Sequence, residues 1–302
     1  MSKLPVRWLL FQVKQAYHCF ASGARERGWR AMLPHLPEVP RRFARAARWM
    51  HAVTRGPTVR AAAPVTCGVV LLSYQRPANI EMIARGFLKC AFVEQVVISN
   101  NNPSVRLRDW VTIADPRLVL VDQAEPTRQG IRLRLLAELR GPITVTVDDD
   151  RFLFPDQIRK LVEEVHGDPS APHGFEGEKV QRSDLRSPTG DYPFDTGVTG
   201  TDTVVDTLTG GYFLTADQAR TCLDTTRRLG IDDLDRFGNG EDLVMSRSGR
   251  APARVHDVGP VLQCWTTSDD EIATWRRGDF FAERLRLRAE LAALGLTGEP
   301  AA

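Results

Sequence analysis

Hydrophobic residues change their spacing near residue 65. Before that point they recur at helical intervals, whereas after it they form short apolar runs separated by turn residues. The runs predict four strands, at 66–73, 95–99, 117–122 and 142–147, with helices between them at 79–90 and 129–139. Near-continuous apolar strands that alternate with helices are typical of a parallel sheet covered on both faces. The pattern therefore predicts an α/β fold.

The second half of the chain is less regular. A helix is predicted from Pro155 to Gly167, because apolar residues recur there at helical spacing between a proline and a glycine. Residues 167–203 are rich in Gly, Pro, Ser, Thr and Asp and are interpreted as a long loop with short pieces of structure. Further elements are then predicted: a strand pair at 204–215, a helix at 216–229, a strand at 254–262 and a C-terminal helix at 271–294.

Length and charge divide the chain into two parts. Its 302 residues are enough for one large domain or two small ones. We expect an extension at 1–62 and a domain at 63–302, whose halves are 63–166 and 167–302. No apolar run is long enough for a spanning helix, so we expect a cytoplasmic protein. Five scattered cysteines without a CxxC pair predict buried thiols rather than disulfides or structural zinc.

The extension is strongly basic. Residues 1–62 contain 12 Lys and Arg against 2 Glu, giving +10, and the rest of the chain then carries −8 because the whole has a net charge of +2. With its many aromatic residues, such a segment could lie on an anionic membrane surface, or it could simply pack on the domain that follows. Nucleic acid is not an expected partner, since no nucleic-acid-binding motif accompanies the basic residues.

Three adjacent carboxylates, Asp148, Asp149 and Asp150, follow the fourth predicted strand. Ligands of open α/β sheets bind outside the carboxyl ends of the strands. Adjacent carboxylates repel one another unless cations neutralise them, and hard oxygen ligands favour Mg²⁺ or Mn²⁺. A nucleotide diphosphate bound through a divalent metal is the functional interpretation. The alternative is a solvated turn that caps the next helix.

A second acidic pair, Glu241 and Asp242, follows the glycine turn at 238–240. Acidic residues at a helix start are also favoured by the helix dipole. Next to a metal site, however, one of them could act as a general base for an acceptor hydroxyl or stabilise a sugar cation. The pair alone does not decide between these interpretations.

Seven ordered blocks between residues 65 and 285 resemble the GT-A nucleotide-sugar glycosyltransferases, and within them the exostosin-like glycosyltransferase domain. The blocks are VVLLSYQRP, VVISNNNPS, TRQGIRLRLL, VTVDDD (the DxD motif), GGYFL, GEDLVMS and WRR. The resemblance implies a mixed, mainly parallel sheet flanked by helices. Two positions depart from the family pattern, since Gln75 replaces an Asn and Glu241 an Asp, and residues 1–62 have no counterpart.

The resemblance also implies roles for individual residues. It makes Asp150 the direct ligand of Mn²⁺ or Mg²⁺, with Asp148 and Asp149 near the ribose or donor sugar. Asp242, with Glu241 beside it, would orient the acceptor or act at the anomeric centre. The remaining contacts to the donor would come from Ser73, Tyr74, Arg76 and Asn100 around the nucleoside and from Arg132 and Arg277 near the diphosphate.

The predicted function is therefore metal-dependent transfer of a hexosyl or N-acetylhexosaminyl group. The donor would be a nucleotide sugar, most simply a UDP-sugar, and the acceptor a hydroxyl of a glycan, a lipid-linked molecule or a small molecule. Retention and inversion both stay open, as does the oligomeric state. The alternatives are a Mg²⁺-dependent nucleotidyl- or phosphoryl-transfer enzyme, and a non-catalytic binding protein on the same fold. No GxxxxGK[ST] motif for a Walker-type NTPase occurs.

Overall fold

A computed structural model describes residues 4–27, 30, 33, 36–179, 197–268 and 279–296. The helices α1 (Leu4–Arg27) and α2 (Glu38–Arg55) lie within the segment that is predicted to be an N-terminal extension. The remaining helices are α3 (Pro77–Leu88), α4 (Ile131–Glu138), α5 (Pro155–Gly167), α6 (Ala216–Arg228), α7 (Glu241–Ser246) and α8 (Phe280–Ala293). Two short 3₁₀ turns lie at Leu107–Asp109 and Trp265–Ser268.

The strands of the first half agree with the sequence prediction. They are β1 (Cys67–Ser73), β2 (Val93–Asn100), β3 (Leu118–Asp122) and β4 (Ile143–Val147). β1 lies between β2 and β4, β3 lies outside β2, and all of these pairs are parallel. The strands β1 and β4 are buried along their whole length, which explains their continuous apolar sequence.

The later strands are short. They are β5 (Arg151–Phe152), β6 (His173–Gly174), β7 (Glu176–Glu178), β8 (Val198–Thr199), β9 (Thr203–Val204), β10 (Thr207–Thr209), β11 (Gly211–Thr215), β12 (Arg254–Val255) and β13 (Leu262–Gln263). The main sheet has the order β3-β2-β1-β4-β11-β6-β12-β9, and β11 is antiparallel to β4. Smaller sheets join β10-β7-β8 and β13-β5. The predicted mixed, mainly parallel α/β architecture is confirmed, and it is consistent with a GT-A, Rossmann-like fold.

The segment 167–203 contains the short strands β6, β7 and β8, as expected for a long loop with short pieces of structure, and 180–196 lies outside the described residues. Two other details of the second half differ from the prediction. The strands β10 and β11 do not pair with each other, because β10 joins β7 and β11 joins β4 and β6. The strand expected at 254–262 is divided into β12 and β13 by an irregular segment at 256–261, in which Gly259 has a φ of +73°.

Helices cover both faces of the main sheet. On one face Val69, Leu71 and Ile98 pack with apolar residues of α2, α3 and α5, and Trp8 of α1 joins the same core. On the other face Val70 and Leu72 pack with residues of α4, α6 and α7. The extension therefore shares a core with the domain that follows. The boundary at residue 62 stays a prediction.

Candidate functional site

The carboxyl ends of β1 and β4 meet at one edge of the main sheet. The two strands are parallel neighbours, with Leu71 opposite Val147. The chain segments that follow them, Tyr74–Arg76 and Asp148–Asp150, line the same cavity, whose volume is about 720 Å³. The structure thus brings these two motifs together at the carboxyl ends of the strands, where open α/β sheets bind their ligands.

Each carboxylate of the acidic turn lies against a different guanidinium group. The closest distances are 2.8 Å from Asp148 to Arg132, 2.7 Å from Asp149 to Arg76 and 2.9 Å from Asp150 to Arg151. These contacts offset the repulsion between the adjacent carboxylates. Burial nevertheless raises the pKa of Asp149 to about 6, against the opposing effect of Arg76.

Arg132 connects the acidic turn with the second acidic pair. It lies in α4 and is 5% exposed. Its Nη2 donates to Asp148 at 2.8 Å, its Nη1 is 3.8 Å from a carboxylate oxygen of Glu241, and its guanidinium carbon lies 5.7 Å from the centre of the Tyr212 ring. A single buried cation therefore faces both groups of carboxylates across the cavity.

Arg76 is fixed in place by the 3₁₀ turn at Trp265–Ser268. Its Nε donates to Oγ1 of Thr266 at 3.1 Å and its Nη2 donates to the Thr266 carbonyl at 2.8 Å, while Nη1 donates to Asp149. A second contact holds the backbone of the acidic turn, because the side-chain amide of Asn79 donates to the Asp149 carbonyl at 2.9 Å. Both contacts limit the movement of the acidic turn.

The acidic pair begins the short helix α7. Gly240 precedes it with φ +99°, and a Cβ at this position would lie 2.3 Å from Cδ2 of Leu287, so only glycine fits. Asp242 accepts a hydrogen bond at 2.7 Å from Arg284 of α8. Glu241 is 8% exposed, and burial, strengthened by the neighbouring Asp242 charge, raises its pKa to about 7. Glu241 therefore exchanges a proton near neutral pH.

Glu178 is a further carboxylate of the cavity. It ends β7, and its Oε2 is buried with no hydrogen-bond partner among the described residues. Burial raises its pKa to about 7, and the Asp242 charge acts in the same direction while Arg284 acts against it. Glu178 lies in the segment 167–203, where no sequence motif or periodicity marks it as a site residue.

Most of the residues singled out from the sequence come together in this cavity. Its lining includes Tyr74, Arg76, Arg132, Asp148, Asp149, Asp150, Glu241 and Asp242. Ser73 and Asn100 lie beside the cavity but do not belong to its described lining. The Asn100 amide instead donates to the Val105 carbonyl and to Asp122, and its neighbour Asn101 lines the cavity. Arg277 lies outside the described residues. The roles of all of these residues in binding or catalysis stay predictions.

Several lining residues were not among the predicted site residues. Arg151 directly follows the acidic triplet and could have been found from that position. Arg284 had no such signal, because it is one of several arginines in the amphipathic C-terminal helix. It was the packing of α8 beside α7, through Leu287 and Leu243, that brought Arg284 to the cavity.

No family model matches the sequence, and no curated protein matches it. Solved structures do match, at low identity. One is GalNAc-T7 with UDP, GalNAc and Mn²⁺, at 10% identity and a TM-score of 0.45 over 65% of this chain and 43% of that chain. The present chain thus spans less than half of the length of the GalNAc-T7 chain.

Two further solved structures belong to different enzymes. TarS of S. aureus, residues 1–349, matches at 11% identity and a TM-score of 0.42, over 65% of this chain and 59% of that one. The synthetase for CMP-2-keto-3-deoxy-manno-octonic acid, in complex with CTP, matches at 12% identity and a TM-score of 0.35, over 53% of this chain and 78% of that one. These similarities are too distant to transfer a substrate, a metal or a residue role.

Proposed function

We propose that the protein is a glycosyltransferase that transfers a sugar from a nucleotide-sugar donor, a UDP-sugar in the simplest case, to a hydroxyl acceptor. The observation behind this proposal is the arrangement of the cavity. Arginines suited to a diphosphate lie on one side, at Arg76 and Arg132, and a pair of buried carboxylates lies on the other. One guanidinium group can donate two parallel hydrogen bonds to a phosphate, and it always keeps its positive charge. The order of motifs resembling GT-A and exostosin-like enzymes supports the same assignment.

Different residues of the cavity have different roles in the proposed transfer. Arg76 and Arg132 bind the diphosphate and stabilise the charge that develops on it as the bond from the anomeric carbon to the phosphate oxygen breaks. The acceptor oxygen then bonds to that carbon. Asp242, held by Arg284 at 2.7 Å, orients the acceptor hydroxyl. Glu241 accepts the proton of that hydroxyl, because its pKa of about 7 matches the range in which general bases are effective. That role belongs to an inverting reaction; in a retaining one the departing phosphate takes the proton.

The acidic turn fits a divalent metal by its chemistry. Its donors are all carboxylate oxygens, which suit Mg²⁺ and Mn²⁺, and such ions use one or two carboxylates together with phosphate oxygens and water. Asp150, with Asp148 nearby, would hold the ion, which would offset charge on the leaving nucleoside diphosphate. Within the described residues no three His, Cys, Asp or Glu side chains converge on one metal position. The donor phosphates would have to complete the coordination.

The charge of the cavity makes metal and nucleotide binding depend on each other. Six carboxylates and five arginines line its described surface, so a free divalent cation meets little net negative charge. A bound diphosphate would supply the missing charge. We therefore expect the metal to bind weakly alone and to strengthen nucleotide binding by roughly tenfold to 100-fold, the usual range of coupling between two ligands.

Calorimetric titration tests this proposal. UDP is titrated with and without Mn²⁺, and Mn²⁺ with and without UDP, on the wild type and on Asp150→Asn. The variant should lose the effect of Mn²⁺ and keep its fold. Asp156→Asn is the matched control, because Asp156 has a side chain that is 76% exposed in α5. Hydrolysis or transfer of UDP-sugars is then measured with the same proteins.

The outcomes separate the alternatives. Preference for CDP or GDP would change the donor but keep the class of enzyme. Release of pyrophosphate from a nucleoside triphosphate would instead identify a nucleotidyltransferase. Absence of binding for every nucleoside diphosphate, with and without metal, would reject the proposal.

A further inference from the structure

Helix α1 exposes three large apolar side chains while it buries two glutamines. Gln12 and Gln15 are only 4% and 7% exposed, whereas Leu10, Val13 and Tyr17 are 62%, 48% and 71% exposed. The three apolar residues lie at i, i+3 and i+7 and therefore share one face of the helix. An ordinary surface helix buries its apolar residues, and although α1 also buries Trp8, it leaves these three exposed to solvent.

Specific contacts fix this orientation. The Gln12 side-chain amide donates to Oδ1 of the buried Asn79 at 3.3 Å. The side-chain oxygen Oε1 of Gln15 accepts a hydrogen bond from Sγ of Cys264 at 2.9 Å. On the same side of the helix the Trp8 ring lies 5.3 Å from the Trp49 ring. A rotation of α1 that buried Leu10 and Tyr17 would break all of these contacts. The exposed apolar face is thus a consequence of the native packing.

Helix α2 presents a basic face to solvent. Arg41, Arg48 and Arg55 are spaced by seven residues and are all exposed, while Trp49 and Val53 of the same helix are buried. The two helices pack on the same region of the domain. Trp8 and Trp49 lie in contact, and Phe20 of α1 and Phe43 of α2 both lie about 6 Å from the ring of Trp265. The inward faces of α1 and α2 therefore pack on one shared region of the core.

We propose that these two outward faces form a docking surface for an anionic membrane. We define the docking surface as Leu10, Val13 and Tyr17 of α1 together with Arg41, Arg48 and Arg55 of α2. Leucine and aromatic residues enter the headgroup region of a bilayer, and arginines bind its anionic lipids. The segment 1–62 has a charge of +10 by sequence, so pairing with the same surface of a second copy would bring two strongly positive segments together.

In the part of the chain that the structure describes, no helix is long and apolar enough to cross a bilayer. The contact proposed above is made by side chains of α1 and α2 at the membrane surface. It does not depend on the proposed transferase activity, because vesicle binding is measured without donor or acceptor.

The test uses the full chain and sedimentation with vesicles. Vesicles of phosphatidylglycerol and phosphatidylcholine in equal amounts are compared with vesicles of phosphatidylcholine alone. We expect binding to the first kind only, and weaker binding as the salt concentration rises to about 0.5 M, where the Debye length is only a few ångströms. Each basic residue near the surface contributes about fivefold to partitioning, so Arg41→Gln, Arg48→Gln and Arg55→Gln together should weaken binding roughly 100-fold.

A matched triple variant separates surface location from net charge. Arg220→Gln, Arg227→Gln and Arg236→Gln remove the same charge from exposed positions in and after α6, which covers the opposite face of the sheet. This control should bind like the wild type. The apolar triple variant Leu10→Gln, Val13→Gln and Tyr17→Gln should also lose binding, and a circular dichroism spectrum verifies that each variant is folded.

Three results would overturn the proposal. They are absence of binding by the wild type, equal loss of binding in the control variant, and a concentration-dependent dimer that disappears in the apolar variant while vesicles are not bound. The last result would assign the surface to a second copy of the chain.

Discussion

The two sides of the cavity are built in different ways. We define the strand side as Tyr74–Arg76 with Asp148–Asp150, and the helix side as Glu178, Glu241, Asp242 and Arg284. Both segments of the strand side directly follow buried strands that are parallel neighbours. The helix side takes residues from β7, α7 and α8, which are far apart in the sequence. Local chain geometry thus places the strand side, whereas tertiary packing assembles the helix side.

The two sides also differ in charge balance. On the strand side each carboxylate lies within 3 Å of a guanidinium group. On the helix side Asp242 pairs with Arg284, Glu241 lies 3.8 Å from Arg132, and the charges of Arg284 and Arg288 act on Glu178. Burial nevertheless raises the pKa of both Glu178 and Glu241 to about 7. The strand side is therefore suited to holding charged ligands, and the helix side to exchanging protons. Arg132 connects the two sides, because it contacts Asp148 of the strand side and lies 3.8 Å from Glu241 of the helix side.

Replacing Arg132 is expected to have the largest effect. Arg132→Met removes the cation shared by Asp148 and the buried Glu241. Breaking a buried pair costs about 3–5 kcal/mol, and because the Asp148 side chain is 37% exposed we expect a loss at the lower end of that range. We expect a lower free energy of unfolding in urea and a loss of UDP binding of at least about 100-fold, because a buried charge-assisted contact to phosphate is removed. Urea denaturation and calorimetry measure the two quantities separately.

Two controls accompany this variant. Arg134→Met changes the same residue type in the same helix, where the side chain is 43% exposed and pairs with Asp235. It should change stability by less than about 1 kcal/mol. Arg132→Lys keeps the charge but lacks the planar fork, so it should recover more stability than nucleotide affinity. Nucleotide binding by Arg132→Met at the wild-type level would show that the two sides work independently.

The sequence predicts the strand side well for a physical reason. A buried parallel strand is a continuous apolar run, and the polar residues that follow it are brought to one sheet edge whatever the rest of the chain does. This reasoning located β1 to β4, α5 and the acidic turn to within a few residues. Only the resemblance to GT-A enzymes implied that Tyr74, Arg76 and Arg132 lie near that turn, and the structure brings all three into the lining of the same cavity.

The helix side could be predicted only in part. Glu241 and Asp242 were visible because they follow a glycine turn, but the acidic pair alone also fits a helix start. Glu178 lies in a three-residue strand, too short for any periodicity, and its burial depends on the pairing of β7 with β10.

Asn100, at the end of β2, could not be placed from the sequence for a different reason. Adjacent residues in a strand point to opposite faces, so the sequence could not decide which asparagine of the pair reaches the cavity.

A change at Glu178 tests the charge balance of the helix side, with a smaller expected effect. The pKa of Glu178 in the folded protein is about 7, above its value of 4.5 in a model compound, so the folded state binds the proton more tightly. The free energy of unfolding of the wild type should therefore fall as the pH rises from about 4.5 to about 7. Glu178→Gln removes the contribution of Glu178 to this fall, while those of Glu241 and Asp149 stay. The variant should therefore be more stable than the wild type above pH 7, by up to about 3 kcal/mol.

Urea denaturation at several pH values measures this difference. Glu125→Gln, a change at an exposed position outside the cavity, should leave the pH dependence of stability as it is. A constant difference between Glu178→Gln and the wild type at every pH would contradict the buried, proton-binding role of Glu178.

The smallest expected effect concerns the support of the strand side by α1. Gln12 contacts Asn79, whose amide in turn donates to the carbonyl of Asp149. Gln12→Leu leaves the buried Oδ1 of Asn79 without its donor, which costs about 1 kcal/mol. We expect a similar loss in the free energy of unfolding, and a twofold to fivefold weaker UDP affinity in the presence of Mn²⁺ because the acidic turn is less firmly held.

Lys14→Gln is the control for this variant, since Lys14 lies in the same helix but is exposed to solvent. It should change neither quantity. If Gln12→Leu lowers stability while UDP affinity stays the same, then α1 stabilises the domain without positioning the acidic turn. In that case the strand side would be held by the sheet and by the contact of Arg76 with Thr266, without help from α1. The strand side would then depend on local chain geometry even more, and the helix side alone would depend on tertiary packing.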